Sequence, residues 1–377
     1  MPQLDESPRR LTIHARRALV ANVLRHDVAI DIDDGRIAAV RSFGEDEHPR
    51  RVHSLVSPGL IDLQCNGLGV HAVIGGSIDS LQRCLAEAGT TSFLPTITTC
   101  QPTVRRRAYD TVMAAAGNAS DGRARILGVH LEGPFLGRRP GAHDVHLIAK
   151  AVDEVDDVFD ACGEGLRMMT LAAESPVAGA VMEKLSARNI VASIGHSAPS
   201  REEYARLVAA GATCCTHIFN AMSGVEHRGF GLAGAVLDDP AMYAGLIGDL
   251  VHVDAETIRL VFRCKGPGRI FLVSDSVATT SGVEAEGLDV TDAARLPDGT
   301  LAGAVVPLAE QVRCIVQRAG VSLIDALVAA TSTPAEVIGA GEIGALEVGR
   351  FADITCFDEH LGVESTYVAG VPVVRGS

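Results

Sequence analysis

Met168-Met169-Thr170-Leu171-Ala172, Ile190-Val191-Ala192-Ser193-Ile194-Gly195 and Ala212-Thr213-Cys214-Cys215-Thr216-His217 are three short apolar runs, separated by the helix-like stretches 176–187 and 201–210. Strands alternating with helices at this spacing imply a parallel sheet joined by crossover helices. Working outward, the same unit recurs from about 57 to 340, with further runs at 59–63, 91–96, 125–131, 243–247 and 270–274 and helix-like stretches at 77–88 and 254–264. Eight such runs predict closure into a (β/α)8 barrel. An open doubly wound sheet is the alternative, but no GxGxxG follows the first run to build a dinucleotide crevice.

The two ends of the chain read differently. Strand-like runs cover 11–24, 28–32 and 36–40 with a turn at Asp33-Asp34-Gly35, and further ones cover 351–357 and 364–374 around Gly370. The expected organisation is a small β-sandwich domain built from both termini, 1–56 and 341–377, around a barrel spanning 57–340.

Composition narrows the function. In 377 residues, 47% hydrophobic and 21% charged, the chain has the make-up of a folded globular protein. Its 33 Lys and Arg against 47 Asp and Glu give a net charge of −14, which disfavours nucleic acid as a partner while leaving room for a small phosphorylated ligand at one local basic site. Nine cysteines, an odd number with no CxxC pair, read as reduced core thiols, with one of the adjacent Cys214 and Cys215 facing inward. The segment Met1–Arg10 has no apolar core, and no apolar stretch reaches the roughly 18 residues of a membrane span. A cytoplasmic protein without membrane attachment is expected.

In a parallel barrel the active site lies at the C-terminal ends of the strands. Here the third run ends at Glu132, the fifth at His196, the sixth at His217 and the eighth at Asp275. One carboxylate and two imidazoles from three strand ends suit a divalent metal with open positions for water and substrate. Asp275, on a fourth strand end, is placed to take a proton from that water. Any one of these taken alone has a plainer reading, since a strand-end His is often a packed core residue and Glu132 can cap the following turn. Four together favour a metal hydrolase. His71, His130 and His146 are further candidates, of which His130 shares the strand face of Glu132 and reads as a supporting residue.

Several of these segments carry a family resemblance. Pro58-Gly59-Leu60-Ile61-Asp62-Leu63-Gln64-Cys65-Asn66-Gly67, His130-Leu131-Glu132-Gly133-Pro134-Phe135, Gly141-Ala142-His143, Gly195-His196-Ser197, Thr216-His217-Ile218-Phe219-Asn220-Ala221-Met222, Gly231-Leu232-Ala233-Gly234-Ala235 and Leu272-Val273-Ser274-Asp275 resemble the N-acetylglucosamine-6-phosphate deacetylases of the amidohydrolase superfamily. Gly349-Arg350-Phe351-Ala352-Asp353-Ile354 resembles the return into their small β domain. Most of the superfamily has Asp-x-His-x-His where this chain has Asp62, Gln64 and Asn66. Neutral amides are poor metal ligands, so a single metal ion per subunit is expected.

The resemblance implies that Glu132, His196 and His217 hold that ion, zinc first, with iron or another transition ion also suited. It implies that Gln64 and Asn66 hydrogen-bond bound water, that Asp275 is the catalytic acid and base, and that His143 or the metal stabilises the oxyanion. Substrate contacts carry over to Ala142, His143, Asn220, Ala221, Arg228, His252, Leu301, Ala302 and Gly303. Arg228 would meet the phosphate, with His227 as a second donor, and a homodimer is implied. The expected reaction is hydrolysis of the acetamide of N-acetylglucosamine 6-phosphate in amino-sugar catabolism. The rivals are a deacetylase of another phosphorylated N-acetyl amino sugar, such as the galactosamine epimer, and a non-catalytic scaffold on the same fold.

Overall fold

The computed structural model describes residues 10–44, 46–116, 122–279 and 288–374. All candidate site residues fall within them, whereas the N-terminal segment 1–9 read for targeting signals lies outside the described residues.

Eight parallel positions close a barrel. Successive strands Leu60–Gly69, Thr90–Thr98, Val129–Glu132, Leu166–Leu171, Val191–Ile194, Cys214–Cys215, Tyr243–Ile247 and Ile270–Val273 each neighbour the next. Closure is made by a short continuation of the eighth strand, Ser276–Ala278, which pairs in parallel with the first through Ser276–Cys65 and Ala278–Gly69. Side chains alternate across this wall. Leu63, Leu94, Met168, Cys214, Ile247 and Phe271 share one buried cluster, while Leu131, Leu171, Ile194, Cys215 and Leu272 pack with the outer helices in another. Cys214 and Cys215 therefore face opposite sides, as their adjacency in a strand requires.

Three of the crossover helices start where the sequence supplies a capping side chain. Ser200 and Glu203 form a reciprocal capping box at Arg201–Ala209, Ser77 caps Ile78–Glu87, and Asp254 caps Ala255–Lys265. Among the described residues no helix is long and apolar enough to cross a membrane.

Strands from both ends of the chain form a second, eight-stranded sheet around its own buried cluster of Ile13, Ile30, Ile37, Val56, Ile354 and their neighbours. Leu55–Pro58 sits between Leu11–Val20 on one side and Ile354–Phe357 on the other. Two boundaries differ from the sequence reading. The expected run 11–24 is two strands, Leu11–Val20 and Val23–Asp33, joined by a hairpin whose turn residues Ala21 and Asn22 have φ of 50° and 60°. Two successive left-handed residues make the tight turn that matches strand twist, and an alanine in the first position hides it from composition. The run expected at 351–357 begins as a strand only at Ile354, because Phe351 makes a single bridge to Arg36 and presents its ring to Arg36 and Arg125 at 4.2 and 4.3 Å.

Two buried carboxylates join these parts. Asp353, in the return segment, accepts the N–H of Ala369 at 2.7 Å and faces Arg125 at 3.5 Å, linking the terminal sheet to the barrel. Asp62 accepts the N–H groups of Gln64 at 3.2 Å and Ser274 at 3.0 Å, fastening the first strand to the end of the eighth beside the backbone bond from Asp275 N–H to the Gln64 carbonyl at 2.9 Å. Burial pushes the Asp62 carboxyl up to about 7, against the hydrogen bonds it accepts.

Candidate active site

Glu132 ends the third strand, and its Oε1 receives three side chains at once. His196 Nε2 lies 2.9 Å away, His217 Nε2 3.0 Å, and Gln64 Nε2 2.9 Å. All are buried. Burial alone would raise the Glu132 pKa, but the hydrogen bonds from the two imidazoles outweigh it and hold the carboxyl well below its ordinary range. His217 is raised in turn, because the Glu132 contacts outweigh the opposing effect of burial.

This trio fits a metal ion on its own geometry. One carboxylate oxygen and two imidazole nitrogens lie within 4.8 Å of one another. Two of the three are neutral-nitrogen donors of the kind that transition ions prefer. The orientation of His196 is fixed from behind, since its Nδ1 donates to the Pro140 carbonyl at 3.0 Å and so turns Nε2 toward Glu132 and the place an ion would take.

Asp275 stands opposite. Its Oδ1 accepts Asn66 Nδ2 at 2.9 Å and Gln64 Nε2 at 3.1 Å. Gln64 therefore bridges Glu132 and Asp275, its amide nitrogen donating to both carboxylates. Burial and the neighbouring Glu132 carboxylate push Asp275 up to about 6. His196, His217 and Asp275 all have left-handed backbone, with φ of 50°, 25° and 47°. Such conformations are costly for residues with a Cβ and gather where structure serves chemistry.

The wall of a cavity of about 740 Å³ is formed by these groups and their neighbours. Asn66, Glu132, His196, His217 and Asp275 line its floor, with Gln64 buried just behind them. Ala142 and His143 come from the connection after the third strand, Asn220 and Ala221 from the turn after the sixth, and Leu301, Ala302 and Gly303 from the segment after the eighth. Gly303 has φ +125°, and a Cβ there would stand 2.8 Å from the Asp275 carbonyl oxygen, so only glycine lets this segment pass so close to the aspartate. His143 lies with its Nε2 3.7 Å from Glu132 Oε2 and its ring edge-to-face on His196 at 4.5 Å. Burial and the neighbouring His196 hold His143 down to about 3.

His252 completes the wall with help that the sequence reading did not identify. Asp249 Oδ2 accepts its Nδ1–H at 2.6 Å, and Asp249 Oδ1 accepts the N–H groups of Val251 and His252, both at 2.9 Å. The pair leaves His252 Nε2 buried without a protein partner in a residue that lines the cavity. An Asp three residues before a His in a strand-end loop is the signal that could have found it.

The other expectations separate. His130 is a supporting residue with no nitrogen to spare, its Nδ1 on the Leu63 carbonyl at 2.9 Å and its Nε2 on Thr170 Oγ1 at 2.8 Å. His71 and His146 do not line the cavity. His227 and Arg228 are exposed, and Arg228 borders a different hollow together with Tyr204 and Phe230. The basic residues on the rim of the site's own cavity are Arg138 and Arg139, which the sequence reading left unassigned.

Comparison with known proteins agrees with this geometry. The Amidohydrolase family model matches residues 55–373. The chain is 33% identical to human N-acetylglucosamine-6-phosphate deacetylase over 340 residues, covering 84% of this chain and 82% of that protein. It is 29% identical to the N-acetylgalactosamine-6-phosphate deacetylase of a Shewanella strain over 372 residues, 94% of this chain and 93% of that one. A mutant of the Mycobacterium smegmatis N-acetyl-D-glucosamine-6-phosphate deacetylase, solved in complex with N-acetyl-D-glucosamine-6-phosphate, superposes with a TM-score of 0.87 at 26% identity, covering 97% of this chain and 100% of that one. The chain thus belongs to the amidohydrolase family, in its branch of N-acetylglucosamine-6-phosphate deacetylases.

Proposed function

We propose that this enzyme hydrolyses the acetamide of N-acetylglucosamine 6-phosphate to glucosamine 6-phosphate and acetate, using one divalent ion held by Glu132, His196 and His217. The observation that carries this reading is the meeting of His196 and His217 on Glu132 Oε1, with Asp275 tied to the same point through Gln64. Zinc suits the ligand set, and iron or another transition ion would also be accepted. When bound, the ion supplies Lewis acidity, which makes water easier to deprotonate and polarises the amide carbonyl.

The chain's own residues do the rest. Asp275 takes the proton of the attacking water on its carboxylate and later delivers it to the departing amine, so one group serves both halves of the reaction. Gln64 and Asn66 donate to Asp275 Oδ1, fixing the carboxylate toward the floor of the cavity and holding water there. His143 faces the carbonyl oxygen as negative charge develops on it. His252 offers Nε2 to a sugar hydroxyl, with Asp249 holding its ring. Ala142, Asn220, Ala221 and the segment 301–303 enclose the sugar.

We infer likewise a cytoplasmic homodimer, each subunit divided into a small β domain of 1–56 and 341–377 and a barrel of 57–340. Support for the dimer is the position of Arg228, which is exposed and outside its own cavity, beside an exposed Phe230. There it can reach the phosphate in the cavity of a second copy, with His227 beside it. The galactosamine epimer is kept as a second substrate because the Shewanella relative acts on it by name.

The test is amine release from a panel of N-acetyl hexosamines with and without the 6-phosphate. Release from N-acetylglucosamine 6-phosphate with loss of activity on removing either phosphate or metal supports the reading. Preference for the galactosamine epimer moves the substrate, and no release from any amide in metal-loaded protein overturns the proposal.

A further inference from the structure

Glu174 lies just beyond the fourth barrel strand, and no step of the proposed reaction uses it. Its Oε1 accepts two backbone N–H groups, those of Arg138 at 2.9 Å and Ala198 at 2.8 Å. Its Oε2 accepts a short hydrogen bond from the Ser197 hydroxyl, whose oxygen in turn accepts the Ala173 N–H at 3.1 Å. The two strips so joined are functionally loaded. Arg138 belongs to the connection that runs from Glu132 to His143, and Ser197 and Ala198 directly follow His196.

Other bonds cross the same seam. Gly137 N–H donates to the His196 carbonyl at 3.0 Å, His196 Nδ1 to the Pro140 carbonyl at 3.0 Å, and the Arg138 guanidinium to the Ala198 carbonyl at 3.0 Å. Glu174 is the one charged acceptor in this set, and hydrogen bonds to an ionised acceptor are the strong ones. Space has been left for it. A Cβ on Gly137 would stand 2.3 Å from Glu174 Oε1, so glycine at this position is what lets the carboxylate reach both strips.

We propose that Glu174 is a positioning residue: its carboxylate clamps the arm 137–143 to the His196 loop and so sets where Ala142 and His143 stand over the cavity. The arm has no regular structure apart from turns, and it must hold an exposed strip in register with a buried imidazole. Without the carboxylate the Arg138 and Ala198 N–H groups lose their shared acceptor, and the arm is left to the weaker bonds of the seam. A displacement on the order of 1 Å at such a strip is enough to spoil alignment of a bound substrate. This inference rests on the deacetylase reading for its consequence in catalysis, but the clamp itself is measurable without substrate.

The experiment compares Glu174→Ala and Glu174→Gln in the full-length, metal-loaded enzyme. Glutamine keeps one oxygen for the two backbone donors and an amide that can donate to Ser197 Oγ, so it is the conservative variant. For Glu174→Ala, KM for N-acetylglucosamine 6-phosphate is expected to rise about tenfold or more with a smaller fall in kcat, and Glu174→Gln should stay within about threefold of the parent. Amide hydrogen exchange read on peptides covering 136–147 should accelerate about tenfold in Glu174→Ala while barrel-strand peptides stay at parental rates. Parental KM and parental exchange in Glu174→Ala would overturn the proposal, as would faster exchange spread evenly over the barrel. Should Glu174→Ala not fold, Gly137→Ala displaces the carboxylate from the opposite side and must give the same local signature, parental values again overturning the clamp. A parent enzyme with no deacetylase activity would sink the functional reading while the exchange measurement still decides on the clamp.

Discussion

The Asp62 carboxylate accepts the backbone N–H of Ser274 at 3.0 Å, one residue before Asp275. It thereby ties the first barrel strand to the eighth at the point where the eighth is interrupted. The carboxyl is fully buried and raised to about 7 from an ordinary value of 3.8, so between these values the folded state keeps a proton that the unfolded chain has lost. Stability from this group is greatest below about pH 4 and declines as pH rises through 7, with a slope approaching 1.4 kcal/mol per pH unit inside the window. Asp62→Asn keeps an oxygen for the two N–H donors and removes the ionisation. We expect the variant to gain on the parent by about 2 kcal/mol or more between pH 5 and pH 8 in urea denaturation. Equal pH dependence of the two proteins would mean that Asp62 is not the source.

Removing a ligand from the metal trio should remove metal. Glu132→Gln, His196→Asn and His217→Asn each delete one of three donors, and metal content by elemental analysis is expected to fall together with activity. Gln64→Ala should retain metal and lose rate, since its amide contacts Glu132 and Asp275 without supplying an anionic or imidazole donor. Full occupancy in all three ligand variants would contradict the assignment, and metal loss in Gln64→Ala would make the amide a ligand.

Asp275→Asn preserves the oxygen that Gln64 and Asn66 address but cannot take up a proton at neutral pH. A loss in kcat of about 10²–10⁴ is expected, the range of general acid–base catalysis. Metal content and substrate binding should survive. If kcat stays within about tenfold of the parent with the acidic limb of the pH profile intact, another group moves the proton.

Arg228→Ala tests the dimer. KM for the phosphorylated sugar should rise while activity on the unphosphorylated sugar changes little, because a phosphate contact binds ground and transition states alike. Sedimentation should give a dimer for parent and variant. A monomeric parent that discriminates normally for phosphate would assign that role to the rim of its own cavity, where Arg138 and Arg139 stand.

Arg125→Met leaves Asp353 buried beside an apolar side chain. Breaking a buried pair from one side costs about 3–5 kcal/mol, so a drop of that order is expected in the unfolding free energy. Asp353→Asn in the same background should recover part of it, and additive effects of the two changes would show that the residues are uncoupled.

Much of this molecule can be read from local signals. Each barrel strand is a short buried run, and three of the helices between them begin at Ser77, Ser200 and Asp254, whose side chains cap the first turn. Strand-end residues then converge because parallel topology puts all those ends on one face. The features that escaped reading depend on conformation or distance. Ala21 carries no turn preference, so the first hairpin was hidden. Leu250, at φ 65°, bends the loop that brings Asp249 to His252, and leucine does not announce a left-handed turn. Glu174 reaches partners 23 to 36 residues away, and nothing local to its helix-free loop marks them.

The terminal sheet gives this protein an order of manufacture. Leu11–Val20 is synthesised well before Ile354–Phe357 and Val363–Val368, and Leu55–Pro58 lies between them in the finished sheet. Every barrel strand is therefore synthesised before the sheet can be completed. In the interval one edge of Leu55–Pro58 is open, and an open strand edge invites pairing with other chains. Arg125 waits over the same interval for Asp353. A chain that stops before Ile354 thus carries Glu132, His196, His217 and Asp275 yet displays an unpaired edge and an unmatched cation, a mark of incompleteness that chaperones and proteases can recognise.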